Sequence, residues 1–267
     1  MKGVVLAGGL GTRLLPLTRI TNKHLLPVLD RPMIYYPLQT LINAGIKDIL
    51  IVTGGPHAGD FLRLLGNGGE FGLTHLNYTY QEGEGGIAAA LALGEHFADG
   101  GKICVMLGDN LIEGSIAPAV GRFRRQPGGA RIVLKEVEDA ERFGVAEVRD
   151  GRIVSIEEKP RRPKSRYAVT GIYMYDGGVF DVIRTLEPSA RGELEITDVN
   201  NWYLRRGELA CEVLEGWWTD AGTVESLHRA GNLVAETGAN RLDGPATHVP
   251  PPAATPERPP RRRARSR

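Results

Sequence analysis

Several residues in this chain have the types and the placement to handle phosphate. The apolar run KGVVLA (residues 2–7) passes directly into Gly8, Gly9 and Gly11, with Thr12 and Arg13 immediately after. Glycines let backbone N–H groups approach phosphate oxygens closely, and a guanidinium adds a fork of donors with a fixed positive charge. Read from the residues alone, this is either a phosphate cradle or a tight strand-to-helix turn. It is not a P-loop, because no Gly-Lys-Ser/Thr closes it, and it lacks the third glycine of a dinucleotide fingerprint. Lys23 is a second cation near this loop, or a surface lysine. Asp109 follows the apolar run KICVML, and Asp220 sits in Trp-Thr-Asp-Ala-Gly-Thr. Each position suits a helix cap or a magnesium ligand, since magnesium takes one or two carboxylates and leaves its other positions to water and phosphates. Glu158-Lys159, in EEKP, reads as a solvated pair or a charged site element. The amide of Gln81 offers a donor and an acceptor, which fits a pyrimidine edge.

The elements that must carry these residues follow from periodicity. Residues 2–7, 48–53, 76–81 and 102–107 are predicted strands, with helices over 32–44, 58–65 and 87–97. The strands are mostly continuous apolar runs, as expected where helices cover both faces, so the first half reads as a parallel sheet with right-handed crossovers. The second half changes character. Strands are expected over 130–136, 145–148 and 152–156, with Asp150-Gly151 turning a hairpin between the last two. A strand over 171–175, helices over 179–186 and 194–205, a strand over 210–214 and a helix over 223–236 complete the expectation. The predicted fold class is therefore α/β: a doubly wound, mostly parallel, Rossmann-like sheet with an antiparallel insertion.

The 267 residues are 42% hydrophobic and 24% charged, enough for one large domain with a sizeable core. A formal net charge of +1 gives no global reason to expect a nucleic-acid or membrane surface. No apolar run approaches the roughly 20 residues of a bilayer span, and the N-terminal segment is too short and glycine-rich for a signal peptide. Cys104 and Cys211 lie singly in apolar runs and read as buried thiols of a reduced, cytoplasmic protein without a structural metal. Beyond residue 238 the composition shifts: seven of the 17 prolines follow Asp243, and the chain ends RPPRRRARSR. Residues 239–267 are expected to form a disordered Pro/Arg tail, either solvated or able to bind nucleic acid or an acidic partner, with the solvated tail favoured.

The order of GGLGTRLLPLT, NKHLLPV, DRPMIYYPL, LGDN, EEKP, YAVTGIYMYD, RGELEITDVN and WTDAGT resembles the sugar-1-phosphate nucleotidylyltransferases, most closely those that make dTDP-glucose. The likeness covers residues 1–236. It implies one nucleotidyltransferase domain over 1–238, with nucleotide binding mainly in 1–125 and sugar binding mainly in 126–238. It also implies that Arg13 and Lys23 neutralise triphosphate charge, that Asp109 and Asp220 hold Mg2+, and that Lys159 binds the sugar phosphate. Leu6, Gly8, Gly9, Gly11, Thr12, Gln81 and Gly86 would line the nucleotide site. Asn110, Gly144, Glu158, Val169, Glu195 and Trp218 would surround the sugar. The implied partners are a nucleoside triphosphate and a sugar 1-phosphate, without membrane or nucleic acid, and family analogy points to a homo-oligomer.

Three departures stand out. The run QEGEGGIAAAL replaces a proline- and aspartate-containing segment, and Phe143 stands where such enzymes usually carry a tyrosine. The Pro/Arg tail takes the place of a helical extension that forms their effector site. The first bears on the base, the second on the sugar and the third on feedback control. The implied chemistry is in-line displacement by an already ionised sugar-phosphate oxygen, with dTTP and glucose 1-phosphate as leading substrates. UTP or another triphosphate with a different sugar, cyclitol or phosphonate is the alternative. A non-catalytic binding subunit is disfavoured because Arg13, Asp109, Lys159 and Asp220 are all present.

Overall fold

The structure is a computed structural model that describes residues 1–241. The first half forms β1 (Lys2–Ala7), a short β2 (Pro27–Val28) and β3 (Arg31–Pro32) pair that carries no sequence expectation, and then β4 (Asp48–Gly54), β5 (His75–Gln81) and β6 (Ile103–Leu107), which with β1 are the expected strands. Between them lie α1 (Tyr35–Asn43), α2 (Ala58–Leu65), α3 (Ile87–Ala92) and α4 (Glu95–Ala98). Strand β1 pairs in parallel with β4 on one side and β6 on the other, and β4 pairs in parallel with β5. The chain thus winds outward from β1 through β4 and β5, then returns to β1's other edge. That reversal opens a crevice at the carboxyl ends of β1 and β6, the usual ligand position in an open α/β sheet.

The second half contributes β7 (Asn110–Ile112), α5 (Ala117–Arg125), β8 (Ala130–Glu136), β9 (Gly144–Arg149), β10 (Arg152–Glu158) and β11 (Tyr167–Tyr175). It closes with α6 (Val179–Arg184), α7 (Ile196–Arg205), β12 (Leu209–Val213), β13 (Trp218–Asp220) and α8 (Val224–Thr237). Strand β11 is a fork. Its Ile172–Tyr175 end runs antiparallel to β6, its Ala168 pairs with Val145 of β9, and β8 lies along its other edge. Strand β12 extends the sheet beyond β8, for nine strands in all. The fold is mixed α/β with a mostly parallel centre and an antiparallel extension, as the sequence predicts.

Two apolar clusters cover the two faces of this sheet. One gathers Val4, Leu6, Val105 and Tyr175 under α3, α6 and α7. The other gathers Val5, Ile51, Met106 and Phe123 under α1, α2 and α5. Alternate residues of β1 feed opposite clusters, which is why its sequence is apolar throughout.

The differences from the sequence reading are local. The first helix begins at Tyr35 rather than at 32, because Arg31 and Pro32 pair with Pro27 and Val28. The helix expected over 87–97 breaks into α3 and α4 around Gly94. Strands β7 and β13 and helix α5 carry no sequence expectation. Ala239, Asn240 and Arg241, placed in the tail by composition, belong to the packed part. Ala239 packs on the apolar cluster of Met33, Tyr36 and Leu111, and Asn240 donates its N–H to Ile112 and its amide to Tyr36. The rest of the expected tail, 242–267, lies outside the described residues. Among the described residues no helix is long and apolar enough to cross a membrane.

Candidate active site

The glycine loop leaves β1 at the crevice. Leu6 ends its ladder opposite Leu107, and its carbonyl accepts the N–H of Gly108, which binds the starts of the two site loops together. Gly8 lies so close to Gln81 that a Cβ there would overlap the amide oxygen of Gln81, which is itself buried at the end of β5. Thr12 and Arg13 begin a short helical turn after Gly11, and the Thr18 hydroxyl donates to the Gly11 carbonyl at 2.8 Å. The structure therefore places Leu6, Gly8, Gly9, Gly11, Thr12, Arg13 and Gln81 around one edge of the crevice.

Lys23 reaches into the same space. Its Nζ donates to Asp109 Oδ2 at 2.6 Å, with both side chains largely buried. Burial alone would push the Asp109 carboxyl up. The Lys23 charge and hydrogen bonds from Lys23 and Asn110 outweigh it and hold the group well below the usual carboxylate range. His24, beneath the loop, is held neutral: burial first, then the neighbouring Lys23 charge, lowers it to about 3.

Asp220 is brought to Asp109 by the antiparallel pairing of β13 with β7, in which Asp220 lies opposite Asn110. The Ala221 N–H donates to the Asp109 carbonyl at 2.8 Å. A Cβ at Gly222 would stand 3.2 Å from Asp220 Oδ2, 3.3 Å from Arg13 Nη2 and 3.6 Å from Asp109 Oδ2, so the three groups converge there. Asp220 is raised by burial and by the Asp109 charge, against Arg142, Arg13 and Arg229, which lower it. Its Oδ1 is buried with no hydrogen-bond partner. Two carboxylates in mutual repulsion, one with an open buried oxygen, fit a hard divalent cation whose remaining ligands come from phosphate and water.

Beyond the β11 fork lies a second group. Glu158 Oε2 accepts the Thr197 hydroxyl at 2.6 Å, and Gly144 and Val169 border the same spot. Lys159 follows with its N–H on the Phe143 carbonyl at 3.0 Å and its Nζ 3.7 Å from Glu158 Oε1. Asn110 and Trp218 are tied to each other: the indole N–H donates to Asn110 Oδ1 at 2.6 Å, and the Phe143 ring packs edge-on against Trp218. Gly86 meets the second half of the chain directly. Leu194 N–H donates to the Gly85 carbonyl and Ala88 N–H to the Leu194 carbonyl. Glu195 accepts from the Ser189 hydroxyl and from Arg191.

Three residues not singled out in the sequence also belong here. Arg191 lies 2.8 Å from Glu195 and 3.9 Å from Glu158, and its place in RGELEITDVN was the signal that could have found it. Thr197 holds Glu158. Arg142 bonds Asp139 at 2.6 Å and stands 3.6 Å from Asp220 Oδ1. Thr197 lies in the same RGELEITDVN run, whereas Arg142 carried no local signal.

Comparison with known proteins gives the family. Residues 2–237 match the family model described as Nucleotidyl transferase. A glucose-1-phosphate thymidylyltransferase of Neisseria meningitidis is 48% identical over 238 residues, covering 88% of this chain and 82% of that protein. One of Mycolicibacterium smegmatis is also 48% identical, with the same coverage. A solved Bacillus anthracis structure, provisionally named a glucose-1-phosphate thymidylyltransferase and holding sucrose, superposes with a TM-score of 0.85 at 53% identity, covering 88% of this chain and 96% of that one. A UDP-glucose pyrophosphorylase bound to UDP-glucose shares the fold, with a TM-score of 0.76 at 23% identity, covering 88% of this chain and 98% of that one.

Proposed function

The chain belongs to the nucleotidyl transferase family, and from that premise we propose that it joins dTTP to glucose 1-phosphate, giving dTDP-glucose and pyrophosphate. The observation that carries this reading is the convergence of Arg13, Asp109 and Asp220 beside the glycine loop, facing the Glu158–Lys159 group across the β11 fork. The relatives named for this activity match along nearly the whole folded part of the chain.

In this reading the glycine loop and Arg13 receive the triphosphate. Lys23 adds a second positive charge, and the Gln81 amide reads the base edge. Glu158, positioned by Thr197, accepts from sugar hydroxyls, and Lys159 offsets the repulsion between the two phosphates as they meet. The sugar-phosphate oxygen is ionised at neutral pH, so its attack on the α-phosphorus needs no general base, and pyrophosphate departs opposite it. Orientation and charge neutralisation supply the acceleration. Asp109 and Asp220 would hold Mg2+, which when bound supplies Lewis-acid polarisation of the α-phosphate.

A second reading keeps the reaction and changes the partners, to UTP or to another acceptor. It is favoured by Phe143, which presents a ring without a hydroxyl beside Trp218. The test is pyrophosphate release with Mg2+ for dTTP, UTP, CTP, GTP and ATP against glucose 1-phosphate. The proposal expects dTTP to lead. A lead for UTP selects the second reading, and silence with all five against glucose 1-phosphate and other sugar, cyclitol and phosphonate acceptors refutes both.

A further inference from the structure

Each of the two carboxylates assigned to the metal has a cationic side chain near it, but the two are not in the same state. Asp109 carries a hydrogen-bond donor on each oxygen. Its Oδ2 takes Lys23 Nζ at 2.6 Å and its Oδ1 takes the Asn110 amide at 3.0 Å. Asp220 is open. Arg142 stands 3.6 Å from its Oδ1, beyond hydrogen-bond distance, and that oxygen has no partner. Arg142 is itself anchored to Asp139 at 2.6 Å and lies over the Phe143 ring, so the rest of its charge is spoken for.

We propose that Lys23 is a gate for the metal: it occupies the Asp109 oxygen that the cation needs and leaves it only when a triphosphate draws the ammonium away. With Lys23 Nζ 2.6 Å from Asp109 Oδ2, a divalent cation on the same oxygen would meet the ammonium's positive charge at close range in a largely buried site, and that repulsion weakens its binding. Lys23 can leave because its alternative partner lies beside it: its Cε and Nζ would be 3.5 and 3.7 Å from a Cβ on Gly9, within the glycine loop itself. A phosphate seated on that loop is therefore within a short side-chain rotation of Nζ. The half-built site makes metal entry conditional on nucleotide, so the enzyme does not hold a resident cation between turnovers. The inference rests on the proposed assignment of Asp109 and Asp220 to the metal.

The test is binding of Mn2+ alone, followed by loss of its free-ion electron paramagnetic resonance signal, with thermal melting as a check on folding. The expectation is weak or absent binding by the wild-type enzyme, and at least tenfold tighter binding by Lys23→Met and Lys23→Gln. Lys23→Arg, which keeps the charge, should not gain affinity, and adding Asp109→Asn to Lys23→Met should abolish the gain. Tight Mn2+ binding by the wild-type enzyme without nucleotide would overturn the gate while leaving the metal assignment standing. Folded Met and Gln variants that bind no better than wild type would also overturn it. If wild-type turnover proves independent of Mg2+ in the pyrophosphate assay, the metal assignment falls, and the gate with it. Should both neutral variants unfold, the wild-type titration decides alone.

Discussion

Replacing Gly86 by alanine should damage both proposed substrate sites at once, although Gly86 is assigned only to the proposed base loop. Its backbone sits at φ 91 and ψ 174, a region open essentially to glycine alone, where another residue costs on the order of 1–3 kcal/mol. The new Cβ would stand 2.6 Å from the Leu194 carbonyl oxygen and 3.0 Å from both the Leu194 nitrogen and Glu193 Cβ. Those are backbone atoms for the most part, so no side-chain rotation relieves the overlap. The base loop must withdraw and surrender the two backbone hydrogen bonds joining Gly85 and Ala88 to Leu194, each contributing about 1 kcal/mol. Realigning the loops for reaction would then cost about 3 kcal/mol, or about a hundredfold in kcat/KM. Steady-state kinetics with each substrate varied should show both KM values raised, while melting falls less, since an exposed loop relaxes. Gly83→Ala is the control: Gly83 also has positive φ, at 67°, but a Cβ there meets nothing within 4 Å. It should leave both KM values near normal. A Gly86→Ala enzyme whose acceptor KM is unchanged would refute the mechanical link between the two loops.

Acid should destabilise the protein through His24. Its imidazole is held down to about 3 by burial and by Lys23, whereas an unfolded histidine titrates near 6.5. Below pH ~6.5 the unfolded chain binds a proton that the folded chain refuses, so stability falls with pH, at up to about 1.4 kcal/mol per unit, until the folded value is reached. Urea unfolding at pH 7 and pH 5 should differ by about 2 kcal/mol more for wild type than for His24→Asn, and equal differences would contradict the assignment. At the other end of the chain, Asn240 should matter for stability. Its side chain accepts from Thr40 at 2.6 Å and donates to Tyr36 at 3.0 Å, and its carbonyl accepts from Asn43 at 3.0 Å. Ending the chain after Gly238 should lower stability by roughly 2–4 kcal/mol, whereas ending it after Arg241 keeps these bonds, as thermal melting would report.

The parts of the fold that were legible in the sequence share one cause: their signal is local. Strands β1, β4 and β6 are continuous apolar runs because each is covered on both faces. Asp150 and Gly151 both take positive φ, as a tight hairpin turn requires, and that pair of residue types announces it. Strands β7 and β13 were not legible, because three residues each gain strand geometry only from the other, far along the chain. The candidate site divides in the same way. The glycine loop, Lys23 and the two aspartates are visible by type and position, and the structure does bring them together. Arg142 is not visible, since nothing near it in sequence marks Asp220 as its neighbour. The docking of Gly86 against Leu194 depends on a loop more than a hundred residues later, and only the fold discloses it.

The β11 fork explains why the two halves need no hinge to find each other. Direct transfer demands that two anionic phosphates be held in line at bonding distance, and most of that cost is orientation. Strand β11 joins the halves through two ladders on one edge: Ile172–Tyr175 on β6, which ends beside Asp109, and Ala168 on β9, whose first residue Gly144 borders Glu158. Asn110 fastens the junction. Its Oδ1 accepts the Gly171 N–H of β11 and the Trp218 N–H of β13, while its amide donates to Asp109. Read as sugar contacts, Asn110 and Trp218 already have these polar atoms engaged with each other, with β11 and with Asp109. Their first effect is therefore to set the spacing between the Asp109 and Asp220 carboxylates and the group around Glu158. That spacing is held by backbone ladders and a buried amide, so what remains adjustable is the loops above it. The Lys23 ammonium over Asp109 and the Gly85–Leu194 contact are the places where substrate binding can do its local rearranging without disturbing the line of attack.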